Sequence, residues 1–560
     1  MLKMSDLNLD RRHVIAAGAT TLWLGGVHPA WGRAAPATVS DSHAHLFNAA
    51  DLPAVNFIRY VLIPQYAASL GPVGRALVDL VAKRLKALSR TAEWELAHLD
   101  TREDGAVSPS EFAAVVAGRV AEVRDGQEAV PSDLRRSYEA LVAAVADYRD
   151  PTRQPGPVSN DQVAASFLEL ADSVEASGSI DAERASRLAR GRNLRRARIE
   201  VWQVVGWVFL MIQSRRKHLQ AYLKRYDDPA APVKLLINHL VDYDRWLEEG
   251  PAEQSGHDIQ MRFWEAYSAR VRDRVDIHTF AGVCPLKMAE EHLDGAPRHF
   301  SMLKDAFARK AISGLKFYPV MGFYPIGNKG KPNSDYVGRN RIGELVTKRW
   351  RNRYAGKRIG DELDLRLHDL YRWCVEQDVP LMAHAGSGNG AGDNFGERAN
   401  PQYWKLVMDW KDATGATPYR KLRFSIGHFV EDARVFTDEV LNDRLPQEWA
   451  NLATKELLAD YDNVYADLGF MNEVLEKPNG QKIADKFFEA LKKYMQEVEK
   501  TSEPTYRKIL YGTDWIMLGQ IAGHERYYEV VRKGMKANHY PDQAVENICR
   551  LNARRFLKLA

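Results

Sequence analysis

Four short apolar runs constrain this chain most, because each ends in a side chain that can hold a metal or move a proton. The first is Thr38-Val-Ser-Asp-Ser-His-Ala-His-Leu-Phe47. The second is Leu381-Met-Ala-His384-Ala-Gly-Ser-Gly-Asn-Gly390, and the third is Leu422-Arg-Phe-Ser-Ile-Gly-His428-Phe429. The fourth, Ile509-Leu-Tyr-Gly-Thr-Asp514-Trp-Ile-Met517, ends in an aspartate. In the first run Val39, Asp41, His43 and His45 recur with period 2, the spacing of a strand. That period puts both imidazoles on one face, about 7 Å apart along the strand. Two converging neutral imidazoles supply half of a transition-metal site. The other runs read as buried strands with the polar residue at the C-terminal end. In a (β/α)8 barrel that end of a parallel strand is where catalytic residues sit.

As an ordered set, His43-x-His45, His384, His428 and Asp514 resemble the amidohydrolase superfamily of metal-dependent hydrolases. The branch they resemble most also holds decarboxylases and lactonases. The resemblance covers roughly residues 38–88 and 199–557, including the close Ile548-Cys-Arg-Leu-Asn-Ala-Arg-Arg-Phe556, which is similar to the family's terminal helix. It implies an α/β fold, a (β/α)8 TIM barrel, with one divalent metal, zinc before others. His43, His45, His384 and Asp514 are its implied ligands. A catalytic zinc site takes about three protein ligands and keeps a position open for water. Metal binding lowers that water's pKa towards ~7. Asp514 is then the implied general base, and His428 orients the water or polarises the substrate carbonyl.

Lys316 lies in Gly-Leu-Lys-Phe-Tyr-Pro, where binuclear relatives carry a carbamylated lysine. The motif resembles mononuclear relatives better, so a substrate carboxylate contact or an ion pair inside the barrel is expected. Asp242, Tyr318 and Asp467 are further pocket candidates for substrate or a second metal. The expected activity is hydrolysis of an amide, ester or lactone of a small molecule. Non-redox decarboxylation or hydration would use the same metal set, and the Arg-rich stretch 339–353 keeps it open. A calcium-responsive binding protein without catalysis is the reading from another class. His98, His239, His257, His278, His292, His368 and His524 carry no assigned role and are expected to be mostly surface or structural.

At 560 residues the chain can hold a barrel of about 250 residues plus insertions. A net charge of +4 is too small for a nucleic-acid platform. Cys284, Cys374 and Cys549 share no ligand spacing and are expected as buried thiols. Self-association into a homo-oligomer stays open. Residues 1–37 form a separate segment. Arg11-Arg12 precedes an uncharged stretch from Val14 to Val27, and Ala30-Trp-Gly32 and Ala35-Pro-Ala37 follow. That order reads as a signal peptide and resembles a twin-arginine one. It implies the twin-arginine export machinery as a partner and a periplasmic or secreted location. The stretch is too short for a stable membrane span.

Three further segments complete the expected organisation: 38–90 with strand 1 and its helix, an insertion over 91–194, and the rest of the barrel over 195–560. Ala49 to Tyr66 is expected as a loop and Ala67 to Leu88 as a helix. In the insertion, Asp100-Thr-Arg-Glu-Asp104-Gly105-Ala-Val107-Ser108-Pro-Ser-Glu111-Phe112 resembles an EF-hand calcium loop. Asp100, Asp104, the Ala106 carbonyl, Ser108 and Glu111 stand at ligand offsets, with Gly105 at the sharp turn. Arg102 replaces a ligand with a cation. Calcium binding is therefore expected to be weak, roughly 10⁻⁴ to 10⁻³ M, or absent. Ser173 to Arg184 is a degenerate echo, and Val107 is expected to pair with Ile180. Arg195 to Tyr226 is expected as one long helix, and Gly322 to Gly360 as a polar, substrate-covering loop.

Overall fold

Short apolar runs flanked by turn residues become eight parallel strands of one sheet, hydrogen-bonded in chain order. They are β1 Val39–Ala44, β2 Val233–His239, β3 Asp276–Gly282, β4 Gly314–Phe317, β5 Leu381–His384, β6 Phe424–Gly427, β7 Val464–Asp467 and β8 Ile509–Leu510. This computed structural model describes residues 38–125, 128, 130–149, 158–177, 205–247, 255–336, 341–388, 390–392, 395–429, 432–442, 449–521 and 523–559. Parallel strands need helical crossovers, and those helices cover the outer face, so β1 is buried along its whole length.

The sheet closes on itself at the β8–β1 seam. The Ser42 amide donates to the Tyr511 carbonyl at 2.9 Å, the Asp514 amide donates to the His43 carbonyl at 2.7 Å, and Ala44 bridges Trp515 in parallel. Asp41 fastens the seam from inside. Its carboxylate accepts from the Thr513 amide (3.0 Å), Thr513 Oγ1 (2.6 Å), the His43 amide (3.0 Å) and Tyr222 Oη (2.7 Å). Four donors on one buried carboxylate fix β1 against the segment that carries Asp514. Leu235, Ile237, Phe280, Met382, Leu510 and Phe556 form a separate apolar cluster. Phe556 comes from the C-terminal helix Asn552–Phe556. This is the (β/α)8 barrel that the strand-end pattern implies.

Several local expectations change. The segment expected as a loop over 49–66 is helical from Ala54 onward. Its apolar residues Phe57, Ile58 and Val61 are buried, so packing overrides the weak pattern. The long helix expected over 195–226 is interrupted before Arg215. Ser214 Oγ accepts from the Lys217 amide at 3.2 Å and starts a new helix, Arg215–Tyr226, as an N-cap; residues 195–204 lie outside the described residues. The expected loop over 322–360 contains a helix, Arg341–Arg353, and buries Tyr336, Trp350 and Tyr354. Those three aromatics anchor a stretch whose average composition is polar.

The insertion contributes helices Ala92–Ala97, Pro109–Arg124, Ser132–Arg149 and Asn160–Ser177. They belong to the one compact unit of residues 37–560. The expected signal segment and the second EF-hand-like loop beyond Ser177 lie outside the described residues. Cys284, Cys374 and Cys549 are buried free thiols, as expected. No helix of the described residues is long and apolar enough to cross a membrane.

Candidate metal centre

His43 and His45 face the same interior space from β1, and Asp514 meets them across the seam. Asp514 Oδ1 lies 3.5 Å from His43 Nε2 and 3.3 Å from His45 Nε2. These three ligand atoms lie within 4.8 Å of one another. Asp514 follows β8 with φ of 56°, and His428 follows β6 with the same φ. Left-handed backbone at a non-glycine residue costs about 1–3 kcal/mol and persists only where the surrounding structure holds it.

Hydrogen-bond partners fix each imidazole's tautomer. A carbonyl or carboxylate oxygen only accepts, so the nitrogen facing it carries the proton. His43 Nδ1 faces both Asp467 oxygens, at 3.2 and 3.1 Å. His45 Nδ1 faces the His239 carbonyl at 2.8 Å. Both Nε2 atoms are thereby left as acceptors, close to Asp514. His428 Nδ1 donates to the Gly469 carbonyl at 3.1 Å, leaving its Nε2 as an acceptor. His384 Nε2 donates to the Gly388 carbonyl at 3.2 Å, and its buried Nδ1 has no hydrogen-bond partner. Burial lowers the pKa of His45 and holds His43 and His384 well on the neutral side, because desolvation penalises the imidazolium. Neutral imidazole is the metal-binding form.

Two cationic or hydroxyl donors share the space. Lys316 Nζ donates to His43 Nε2 at 2.9 Å, and Tyr318 Oη donates to His45 Nε2 at 3.0 Å. Burial pulls the Lys316 ammonium down to about 8. The residues fit a divalent ion: two neutral imidazole lone pairs converge with a buried Asp514 Oδ1 that accepts no hydrogen bond. A second group of potential ligands, His43, His428 and Asp467, also gathers. It is better read as support, because Asp467 already takes the His43 proton and accepts the His428 and Gly469 amides at 3.1 and 2.8 Å. A carboxylate that anchors an imidazole through its other nitrogen is the usual outer partner of a metal-ligating histidine.

His384 is less central than its sequence position implies. It joins the cluster through His428, with ring centroids 5.0 Å apart, and through Tyr318, on which it stacks at 5.3 Å. Asp242 stands apart: it makes a buried ion pair with Lys287 at 3.4 Å and lies 3.8 Å from the His299 ring. Sequence reasoning left His239 unassigned, yet it ends β2 inside the site. Its ring lies 4.9 Å from His43 and 5.8 Å from His45, with Nε2 donating to the Ser42 carbonyl at 2.9 Å. The signal was present, since Val-Lys-Leu-Leu-Ile-Asn-His239 is another apolar run ending in histidine. From the Arg-rich stretch, Arg349 is held by Glu290 at 2.8 Å and Arg353 by Asp294 at 2.9 Å.

The EF-hand-like loop has the expected helix–loop–helix form, and Gly105 has φ of 69°. Among the described residues its acidic side chains do not gather as a ligand group. Asp100 is exposed and paired with Arg270 at 2.6 Å. Asp104 accepts the Ala106 amide at 3.0 Å, and Ser108 caps the next helix by accepting the Glu111 amide at 3.1 Å. Both backbone groups of Val107 are taken by the Gln213 side chain, each at 3.0 Å.

Residues 352–559 match the family model of the amidohydrolases. That span carries His384, His428, Asp467 and Asp514. No curated protein matches the chain. Among solved structures, an amidohydrolase from Burkholderia multivorans is similar in its form with bound HEPES, at 10% identity, 59% of this chain, 84% of that one and a TM-score of 0.34. The same enzyme with bound zinc gives 11% identity, the same coverage and a TM-score of 0.33. A protein described as a metal-dependent hydrolase from Lactobacillus casei ATCC 334 gives 12% identity, 74% and 90% coverage and a TM-score of 0.33.

Proposed function

Because residues 352–559 match the amidohydrolase family model, we propose that this chain is an amidohydrolase-like metal-dependent enzyme that hydrolyses an amide, ester or lactone carbonyl of a small molecule with zinc as its metal. His43, His45 and Asp514 would hold the ion, with His384 as the fourth ligand. When bound, the ion supplies Lewis-acid charge and a source of hydroxide at neutral pH. The observation that carries the reading is the close grouping of two tautomer-fixed imidazole nitrogens with the buried Asp514 Oδ1, which accepts no hydrogen bond.

The protein groups have separable tasks. The Asp514 carboxylate oxygen not engaged by the ion would accept the proton of the attacking water and return it to the leaving group. His428, with Nδ1 on Gly469, offers Nε2 to orient that water. Lys316 is a cation at neutral pH and faces the same space, where it stabilises negative charge developing on the substrate oxygen. Asp467 and the His239 carbonyl keep the ligand imidazoles in one tautomer. Decarboxylation gains no support from Arg349 and Arg353, whose guanidiniums are already paired.

The test is a hydrolysis screen over amide, ester and lactone substrates with zinc-loaded protein, run beside His384→Ala. Hydrolysis of one class by the parent is expected, with both zinc and activity lost in the variant. A His384→Ala protein with full zinc content would remove His384 from the ligand set. Release of carbon dioxide from carboxylated substrates, without hydrolysis, would replace the proposed reaction.

A further inference from the structure

We propose that Arg215 is a positioning residue for the metal site, and that the inserted helix–loop–helix holds it in place. The proposal rests on the metal-site reading above. Arg215 opens the helix Arg215–Tyr226, and its guanidinium is fully buried. One edge is bonded to Asp51. That residue lies on the segment that leaves β1 immediately after His45. The Asp51 carboxylate also accepts the Asn48 amide at 3.1 Å, so Arg215 grips the turn three residues from a metal ligand.

The other edge faces the insertion. Arg215 Nη1 donates to Glu95 Oε1 at 2.7 Å and to the Arg90 carbonyl at 3.3 Å. Glu95 is fully buried on the Ala92–Ala97 helix and also accepts the Arg215 amide at 3.0 Å. The neighbouring residues fasten the loop that follows. Arg216 donates to the carbonyls of His98 at 3.1 Å and Glu103 at 3.0 Å, while Gln213 takes both backbone groups of Val107. The Arg216 guanidinium therefore binds carbonyls of the stretch that leads into and through the EF-hand-like loop. Residues 213–216 tie this loop on one side and the His45 segment on the other.

A buried charge triad is a poor stabiliser compared with apolar packing, but its directional bonds specify one geometry. That is the property a metal ligand's support needs. Lysine at position 215 keeps the charge but has no planar fork to reach Asp51, Glu95 and a carbonyl together.

The experiment compares full-length parent, Glu95→Gln and Arg215→Lys by amide hydrogen exchange and by zinc competition with a chromophoric chelator. In both variants, exchange over residues 45–51 should quicken by about tenfold while β5 and β6 stay protected, and zinc affinity should fall by about tenfold. Unchanged exchange over residues 45–51 in whichever variant folds overturns the link. Faster exchange with parental zinc affinity overturns the positioning role. If the parent itself binds no zinc, the metal reading fails, and exchange alone decides whether the insertion holds the His45 segment.

Discussion

At the scale of single residues, the account turns on protons fixed by partners. His43 can offer Nε2 only while Asp467 takes its Nδ1 proton. In Asp467→Asn the side-chain oxygen is retained by the His428 and Gly469 amides, which both donate to Oδ1. The amide nitrogen then replaces the Oδ2 acceptor at His43 Nδ1 with a donor, and leaves only Oδ1, at 3.2 Å and already bonded by two amides, to accept. The expected result is a folded protein whose zinc affinity or kcat/KM falls by about 10–100-fold, the usual cost of losing such a partner. Parental values in chelator competition and steady-state kinetics would show that Asp467 does not set the tautomer. Asp41 works by the same logic on the backbone, gathering four donors across the seam.

At the scale of elements, the EF-hand-like loop is where the physical argument is sharpest. Arg102 is not the only cation against it. Arg216 binds two loop carbonyls, and Asp100 is engaged by Arg270. Calcium at about 1 mM, the range of weak extracellular modules, should therefore leave the melting temperature unchanged in scanning fluorimetry. A calcium-dependent rise would mean that the loop releases Arg216 and rebuilds a cage. Much of the fold was legible, because β2 to β7 are apolar runs bounded by turns and β1 alternates with period 2. His43, His45 and Asp514 were legible for the same reason, each ending such a run. Asp467 and His239 also stand at strand ends, but that one anchors His43 and the other abuts both His43 and His45 was not legible, since this depends on which strands become neighbours across the barrel. The helix Arg341–Arg353 was hidden by its charge, its burial resting on a few aromatics such as Trp350.

At the scale of the whole molecule, buried neutral histidines outside the metal centre weaken the fold in acid, against the opposing effect of buried carboxyls such as Asp41 and Glu473, whose pKa values are raised. Burial pulls His218 down to about 3, His257 to about 4, His299 to about 3 and His524 to about 3. Their folded values lie below the unfolded ~6.5, so the unfolded chain binds more protons in between. The stability they contribute is fully present above about pH 6.5 and is lost as pH falls towards the folded values. Each group costs up to about 1.4 kcal/mol per pH unit in that window. Thermal melts with chelator present should show the melting temperature falling by several degrees, on the order of 5 °C, between pH 7 and pH 5. A flat profile would show that these imidazoles are protonated in the folded state. The metal centre itself is tested most directly by anomalous diffraction at the zinc edge from crystals of the zinc-loaded protein. One peak is expected at about 2.0–2.2 Å from His43 Nε2, His45 Nε2 and an Asp514 oxygen. A peak among His43, His428 and Asp467 instead, or none in the barrel, would contradict the account.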